Sequence, residues 1–220
     1  RLDAEIVSAD SQQVYRHFDL GTAKPEPAQL AAVPHHLLSV VDPLEPFSAA
    51  RYQAFADEAI AAIRRRGRQV IVVGGTGLYL RVLLHGVVAA PAADPVLREE
   101  LERVGSAELH RRLAEVDPAS AARLPPADRV RIIRALEIHA RTGTAASAHR
   151  EAHRFEGVRH PFRLLVLAPE RAALYAAIDA RARQLFERGL VDEVKALVAR
   201  GYREAAPMRS VGYREALAVA

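Results

Sequence analysis

Short apolar runs alternate with amphipathic stretches along this chain. The first run, residues 6–9, has the length and composition of a buried β-strand rather than a helix. Four polar residues follow it directly: Asp10, Ser11, Gln12 and Gln13. In open α/β sheets, ligands bind beyond the carboxyl ends of the strands. This segment is therefore the first candidate for a functional site.

Residues 47–67 have the pattern of a complete amphipathic helix. Ser48 is a suitable N-cap, apolar residues recur at helical spacing from Tyr52 to Ile63, and Gly67 ends the helix. The apolar run 69–73 then predicts a buried strand, and Gly-Gly-Thr-Gly at 74–77 predicts a tight turn into another helix. This order of elements is typical of a parallel α/β sheet.

The middle of the chain has a different character. Between residues 91 and 161 only helical patterns occur, separated by proline-containing segments. We interpret residues 92–161 as an all-helical insertion into an α/β core formed by 1–91 and 162–220. Residues 145–153, rich in Ala and His, are expected to form a mobile loop. The core then resumes with a predicted strand at 163–167, followed by helices near 172–188 and 191–200.

Composition excludes several classes of chemistry. The 220 residues contain no cysteine, which rules out disulfides, thiolate zinc sites and cysteine nucleophiles within them. The net charge of +4, from 31 basic and 27 acidic residues, permits binding to a polyanion without requiring it. No apolar run approaches membrane-spanning length, and no secretory signal opens the sequence, so we expect a cytoplasmic protein without a membrane partner.

Two segments near the predicted sheet edge leave their role open. The Gly-Gly-Thr-Gly turn is not a dinucleotide fingerprint, because Leu80 stands where a third Gly or Ala is needed. It is either a tight turn alone or a set of backbone amides that, with the Thr76 hydroxyl, face a polar substrate. Asp10 is either a cap for the turn after its strand or a carboxylate that accepts a proton.

A predicted helix in the insertion carries two aligned arginines. Arg131 and Arg134 share a face, whereas Ile132, Ile133 and Leu136 form the apolar side. Arginines aligned in this way can bind phosphates bidentately. They could equally pair with acidic neighbours such as Glu137, and the sequence alone does not decide.

Six motifs span nearly the whole chain. They are Ser-Ala-Asp-Ser-x-Gln-Val-Tyr at 8–15, Asp-Leu-Gly-Thr-Ala-Lys-Pro at 19–25, Val-Pro-His-His-Leu at 33–37, Val-Gly-Gly-Thr-Gly-Leu-Tyr at 73–79, Arg-x-x-Arg-Ala-Leu-Glu at 131–137 and Ser-Val-Gly-Tyr-Arg at 210–214. In this order they resemble the tRNA dimethylallyltransferases, the IPP transferase family. The resemblance implies a P-loop-NTPase-like parallel sheet with the helical insertion holding the tRNA anticodon stem-loop.

The resemblance also implies a reaction and its catalytic residues. The family transfers a dimethylallyl group from dimethylallyl diphosphate to N6 of the adenosine next to the tRNA anticodon, with Mg²⁺ as cofactor. By resemblance Asp10 takes up the amine proton and Thr76 lies beside it, while Arg181 faces the diphosphate. The resemblance implies a monomer, and no metal ligand is assigned within this chain.

The tRNA contacts implied by the resemblance lie in five places. They are Asp10, Ser11, Gln12 and Gln13; Thr76; Arg98; Val130, Arg131, Ile132, Ile133 and Arg134; and Met208, Arg209, Ser210, Val211, Gly212, Tyr213 and Arg214. Recognition of this kind relies on shape and on unstacked bases.

Two departures from the family pattern stand out. The family has a phosphate-binding P-loop ahead of the segment that opens this sequence, and neither Gly-Lys-Ser nor Gly-Lys-Thr occurs in the 220 residues. We therefore expect little activity from these residues alone. His17 stands where the family usually has glycine, and we expect it to be exposed.

The sequence leaves three alternative functions open. A related enzyme prenylates free adenine nucleotides such as AMP, although the helical insertion argues against it. A P-loop small-molecule kinase would suit the same fold. A non-catalytic RNA-binding protein would be consistent with a chain without a P-loop.

Overall fold

The computed structural model describes residues 2–220, which divide into two compact units. The α/β unit comprises residues 2–84 and 159–220, and the helical unit comprises residues 85–158. The sequence pattern predicts the insertion at residues 92–161. In chain order the elements are β1 (Ala4–Ser8), α1 (Pro27–Ala32), β2 (His35–His36), α2 (Ala49–Arg65), β3 (Gln69–Val73), α3 (Gly77–His85), α4 (Pro95–Glu102), α5 (Ser106–Val116), α6 (Pro118–Ala121), α7 (Arg129–Thr142), α8 (Ala146–His153), α9 (Arg171–Glu187), α10 (Leu190–Ala199), a 3₁₀ turn (Ala206–Arg209) and α11 (Tyr213–Leu217).

The α/β unit contains a parallel sheet with the strand order β2-β1-β3. Strands β1 and β3 pair in register, with Ile6 opposite Ile71 and Ser8 opposite Val73. The strand predicted at residues 69–73 is thus confirmed, as is the α/β class. The strand predicted at residues 6–9 is present but runs from Ala4 to Ser8. Because the strands are parallel, the segments after β1 and β3 emerge at the same edge of the sheet.

Helix α2 forms as its sequence predicts. The Ser48 side chain accepts a hydrogen bond from the Arg51 amide at 3.2 Å, a cap that typically contributes about 1 kcal/mol. Its apolar stripe, from Tyr52 to Ile63, is buried against the sheet. Gly67, with a φ of 74°, adopts the left-handed conformation that ends the helix.

The predicted strand at residues 163–167 is wrong. The segment has no regular secondary structure, and its apolar side chains are exposed: 62% for Leu164, 82% for Leu165, 75% for Val166 and 94% for Leu167. An apolar run becomes a strand only where a neighbouring strand offers hydrogen bonds and a packing surface. No described strand pairs with this one.

The carboxyl-terminal helices form as predicted. Helices α9 and α10 occupy the two predicted ranges, and Gly189 between them has a φ of 96°. Leu190 and Tyr213 are buried with Val14 and Phe18 in one hydrophobic cluster. This cluster attaches α10 and α11 to the chain segment that follows β1.

The helical unit contains helices and no strand, in agreement with the sequence pattern. The mobile loop expected at residues 145–153 is wrong, because most of this segment is helix α8. The buried Asp117 carboxylate accepts hydrogen bonds from the Ser147 amide at 2.9 Å and the Ser147 hydroxyl at 2.6 Å. Burial alone would raise the pKa of Asp117, but hydrogen bonds from Ser120 and Ser147 lower it. These long-range hydrogen bonds stabilise α8, which the local sequence periodicity does not predict.

Two further expectations concern exposure. Within residues 2–220, every helix is too short or too polar to cross a lipid bilayer. His17 is exposed, as predicted, and has a φ of 69°. That left-handed conformation favours glycine, which is the residue that the resemblance places there.

Candidate active site

Asp10 lies just beyond the carboxyl end of β1 and is half-buried. Its Oδ1 accepts hydrogen bonds from the backbone amides of Gln12 at 2.7 Å and Gln13 at 3.1 Å. Its Oδ2 has no hydrogen-bond partner within residues 2–220. One oxygen therefore shapes the turn, as the capping interpretation requires, while the other remains available to a substrate.

Thr76 lies in the turn that follows the adjacent strand β3, beside the Asp10 turn. Its hydroxyl oxygen accepts a hydrogen bond from the Ser11 amide at 2.9 Å, and its own amide donates to the Ala9 carbonyl at 3.2 Å. The structure thus brings Asp10 and Thr76 together at one sheet edge. Since the Thr76 hydroxyl acts as an acceptor toward Ser11, its proton stays available for a second partner.

Aromatic side chains form a wall close to this edge. Tyr79 stacks on Tyr52 with ring centroids 4.1 Å apart, and the Phe47 ring meets Tyr79 edge-on. Burial, with the charges of Tyr15 and Asp10 nearby, raises the pKa of Tyr79 to about 12. Tyr79 and Tyr15 are both buried, in agreement with the expectation that they belong to the core or a wall.

Ser11 and Gln12 complete the polar turn. The side-chain nitrogen Nε2 of Gln12 donates to the Ser11 hydroxyl at 3.4 Å, whereas Oε1 of the same side chain is buried and has no hydrogen-bond partner. A buried carbonyl oxygen without a donor is costly, since it has lost its water and gained nothing in exchange. Gln12 therefore offers an unsatisfied acceptor close to Asp10.

Arg181 lies on α9, whose side chains are exposed except for the partly buried Leu185. Its guanidinium makes no hydrogen bond or ion pair within residues 2–220. A guanidinium without a protein carboxylate retains its full capacity for a diphosphate.

The carboxyl-terminal motif is divided between core and surface. Met208 and Tyr213 are buried, and the Tyr213 hydroxyl donates to the Glu193 carboxylate. Three other members are exposed, namely Arg209, Val211 (81%) and Arg214. Ser210 is half-buried. Gly212, with a φ of 93°, begins the short helix α11. The buried members therefore anchor the segment, and the exposed members can reach a partner.

In the helical unit, two predicted tRNA-binding arginines share one buried carboxylate. Arg98 makes two hydrogen bonds to Glu137, at 3.0 and 2.6 Å, and Arg134 Nη1 lies 3.4 Å from the same side chain. Arg134 also donates to the Pro91 carbonyl at 2.6 Å. Glu137 is fully buried, so it fixes both guanidiniums while leaving each about one-third exposed.

The other members of this stretch differ in exposure. Arg131 pairs with Asp128, the N-cap residue of α7, and hydrogen bonding from Arg131 lowers the pKa of Asp128. The Arg131 side chain is 69% exposed, and Val130 is 76% exposed. Ile132 and Ile133 are buried in the core of the helical unit. An exposed ion pair of this kind contributes only about 0–1 kcal/mol and is easily exchanged for a phosphate.

In the α/β unit, sequence reasoning did not identify one residue that holds the carboxyl-terminal motif and the loop after β1 together. Glu193, in the first turn of α10, accepts hydrogen bonds from the Leu20 amide at 2.7 Å and the Gly21 amide at 3.3 Å, and from Tyr213. An acidic residue in a first helical turn is ordinary, so no local signal could have identified it.

Residues 13–220 match the sequence profile of the IPP transferase family. The chain is 65% identical to the tRNA dimethylallyltransferase of Myxococcus xanthus (strain DK1622), covering 100% of this chain and 72% of that protein. It resembles the crystal structure of the tRNA isopentenylpyrophosphate transferase from Bacillus halodurans with a TM-score of 0.65 and 38% identity, covering 100% of this chain and 69% of that one.

A eukaryotic dimethylallyltransferase acting on tRNA matches with a TM-score of 0.78 and 27% identity, covering 99% of this chain and 57% of that one. These likenesses confirm the predicted P-loop-NTPase-like α/β fold. The profile match, the identity to the Myxococcus enzyme and the fold agree, and the chain belongs to the IPP transferase family.

Proposed function

We propose that this chain supplies the catalytic base and much of the tRNA surface for the transfer of a dimethylallyl group from dimethylallyl diphosphate to N6 of the adenosine next to the tRNA anticodon. The single observation that carries the catalytic part is the unpartnered Oδ2 of Asp10 beside Thr76 at the sheet edge. The family's relatives are named tRNA dimethylallyltransferases, which supplies the substrate pair.

The reaction needs a base because the adenine amine is a poor nucleophile. Its lone pair is delocalised into the ring, so N6 must lose its proton as the new carbon–nitrogen bond forms. We assign this proton to Asp10, whose position is fixed by the two amides on Oδ1. Gln12 Oε1 is buried without a donor, so it could accept a hydrogen bond from the adenine ring of the substrate.

The bond that breaks is the one between the dimethylallyl carbon and the diphosphate oxygen. The electron pair leaves with the diphosphate, which gains negative charge in the transition state and needs donors held ready for it. Arg181, a guanidinium without a partner within residues 2–220, is our candidate for this interaction. The hydroxyl proton of Thr76 is a second candidate donor at the same edge.

The proposal includes Mg²⁺ as an ion bound together with the diphosphate. Within residues 2–220 there is no group of three or more His, Cys, Asp or Glu suited to a metal ion. When bound with the diphosphate, Mg²⁺ would supply positive charge to the leaving group.

We assign tRNA binding to surfaces on both units. On the helical unit, Arg98, Arg131 and Arg134 present guanidiniums that can bind backbone phosphates of the anticodon stem-loop. On the α/β unit, the exposed Arg209 and Arg214 can do the same. Such an enzyme would act as a monomer where tRNA is found, in the cytoplasm.

The test compares acceptors and donors in one assay. The full-length protein is incubated with radiolabelled dimethylallyl diphosphate and either tRNA or AMP, and in parallel with labelled ATP. We expect label on tRNA, at the adenosine beside the anticodon. Label on AMP alone would support the nucleotide-prenylating alternative, phosphate transfer from ATP would support a kinase, and binding of tRNA without transfer would support an RNA-binding role.

A further inference from the structure

Three loop segments of the α/β unit are held together around Asp10. They are the Asp10 loop (residues 10–16), the Lys24 loop (residues 19–24) and the Ser39 segment (residues 38–41). Backbone hydrogen bonds join the first and third, from the Ser39 amide to the Gln13 carbonyl at 3.0 Å and from the Val40 amide to the Val14 carbonyl at 2.8 Å. The Lys24 loop is attached to both mainly through side chains.

Gln13 attaches the Asp10 loop to the Lys24 loop. Its Nε2 donates to the carbonyls of Thr22 at 3.2 Å and Ala23 at 3.1 Å, and its Oε1 accepts from the Ser8 hydroxyl at 3.2 Å. Both amide protons are therefore used within the protein. The backbone amide of the same residue donates to Asp10 Oδ1. Gln13 consequently links the position of the carboxylate to that of the neighbouring loop.

Lys24 joins all three segments. Its ammonium donates to the Tyr15 carbonyl at 2.6 Å, the Asp19 carboxylate at 2.7 Å and the Ser39 hydroxyl at 2.8 Å. An ammonium has three protons, so this set uses its whole donor capacity. The side chain is only 9% exposed. Lys24 therefore has no donor left for a phosphate, although a lysine in a nucleic-acid-binding protein invites that interpretation.

The environment of Lys24 fits an internal role. Burial lowers the pKa of Lys24, while the hydrogen bond and charge of Asp19 partly oppose that shift. An ammonium meant for phosphate recognition would stay hydrated and accessible, whereas this one has replaced its water with three protein oxygens.

The far side of the Lys24 loop is fixed as well. The Glu193 carboxylate accepts hydrogen bonds from the backbone amides of Leu20 and Gly21. The Tyr213 hydroxyl also accepts a hydrogen bond from the Gly21 amide, at 3.1 Å. A Cβ on Gly21 would lie 2.5 Å from the Tyr213 ring, so the loop backbone sits directly against the aromatic side chain. The Lys24 loop is thus a rigid support on which Gln13 and Lys24 act.

We propose that Gln13 and Lys24 are positioning residues that hold the Asp10 carboxylate in its reactive geometry, and that neither side chain binds the RNA. The inference rests on the proposed function, because it assigns Asp10 as the base. It revises what the resemblance implies for Gln13, whose side-chain donors face the protein, and it gives a role to Lys24.

The test uses two substitutions and two matched controls in the full-length protein. Gln13→Glu replaces a double donor by a carboxylate that faces two carbonyl oxygens, and Lys24→Met keeps an unbranched side chain of similar volume but lacks the ammonium and its three protons. Lys195→Met, on the exposed face of α10, and Gln69→Glu, exposed on β3, are the controls. Each protein is assayed for tRNA affinity, for single-turnover transfer and for hydrogen exchange at the amides of Gln12 and Gln13.

For both test variants we expect single-turnover rates about 10- to 100-fold below wild type, because a small displacement of a catalytic group has effects of this size. The tRNA dissociation constant should stay within about threefold, since no RNA contact is removed. Protection of the Gln12 and Gln13 amides should fall about tenfold or more, as local opening becomes easier. The controls should match the wild type in all three measurements.

The exchange measurement does not depend on catalysis, so it separates the two levels of the proposal. A wild type that transfers nothing to tRNA would defeat the proposed function, whatever the variants do. Unchanged protection at both amides would overturn the positioning role even if the enzyme is active. Weakened tRNA binding with a normal single-turnover rate would also overturn it, because Gln13 and Lys24 would then act as RNA contacts.

Discussion

Gly74 lies so close to Ala9 that a Cβ on Gly74 would stand 2.3 Å from the Ala9 carbonyl oxygen. The two residues follow β3 and β1, and Ala9 is the immediate neighbour of Asp10. Backbone contacts continue on both sides, from the Ala9 amide to the Val73 carbonyl at 2.7 Å and from the Thr76 amide to the Ala9 carbonyl at 3.2 Å. The absence of a side chain at Gly74 therefore permits the approach that places Thr76 beside Asp10.

Gly74→Ala should lower both stability and turnover. The added methyl group has only backbone atoms to displace, so β1 and β3 must separate at the functional edge. We expect a loss of about 1–3 kcal/mol in the free energy of unfolding, measured by denaturant titration. Gly157→Ala is the control, since Gly157 lies outside the helices and strands and a Cβ there meets nothing within 4 Å. Equal stability of the two variants would show that the close approach at Gly74 is not required.

Asp10→Asn should separate catalysis from binding. The asparagine keeps an oxygen in the place of Oδ1 for the amides of Gln12 and Gln13 but cannot take up the proton of the adenine amine. We expect turnover to fall by about two to four orders of magnitude, with tRNA affinity nearly unchanged. The measurement is single-turnover transfer alongside equilibrium binding. Loss of affinity with normal turnover would assign Asp10 to tRNA binding rather than to proton transfer.

Arg131→Ala should weaken tRNA binding through one phosphate contact. The Arg131–Asp128 ion pair is exposed, so its loss alters stability little. The slope of log affinity against log salt should decrease by about one unit, as for removal of one cation. Arg103→Ala, which breaks an exposed pair with Glu99 on α4, provides the comparison. An unchanged slope for Arg131→Ala would mean that its ion pair with Asp128 is its whole role.

The ion pairs of Glu5 should make the free energy of unfolding fall in acid. Hydrogen bonds from Arg66 and His36 lower the pKa of Glu5 from 4.5 to about 2 in the folded protein. The folded state therefore binds the Glu5 proton less readily than the unfolded state, so the contribution of Glu5 is present above pH 4.5 and is lost as the pH falls toward 2. The stability difference between wild type and Glu5→Gln should follow this course.

The measurement for Glu5 is denaturant unfolding at a series of pH values. Glu58→Gln, an exposed position on α2, is the matched control and should parallel the wild type throughout. A difference between wild type and Glu5→Gln that is independent of pH in this range would contradict the assigned linkage.

The sequence by itself determined those features that depend on local periodicity, capping and turn chemistry. The helix capped by Ser48, the strands at residues 6–9 and 69–73 and the turn at residues 74–77 all follow from such rules. It also indicated the family, because six motifs in order are specific even when each motif alone is weak. The polar residues after β1 were recognisable because parallel strands present their carboxyl ends at one edge.

The tertiary structure decided what depends on partners that are distant in the chain. Residues 163–167 have the composition of a strand but lack a described strand to pair with, whereas α8 forms at a segment of weak periodicity because Asp117 and Ser120 hold it. Likewise, Lys24 looks like a surface cation until three oxygens from three segments are seen around it. Long-range hydrogen bonds leave no periodic trace in a sequence, and they decide which polar side chains stay free at the sheet edge and which are used up within the protein.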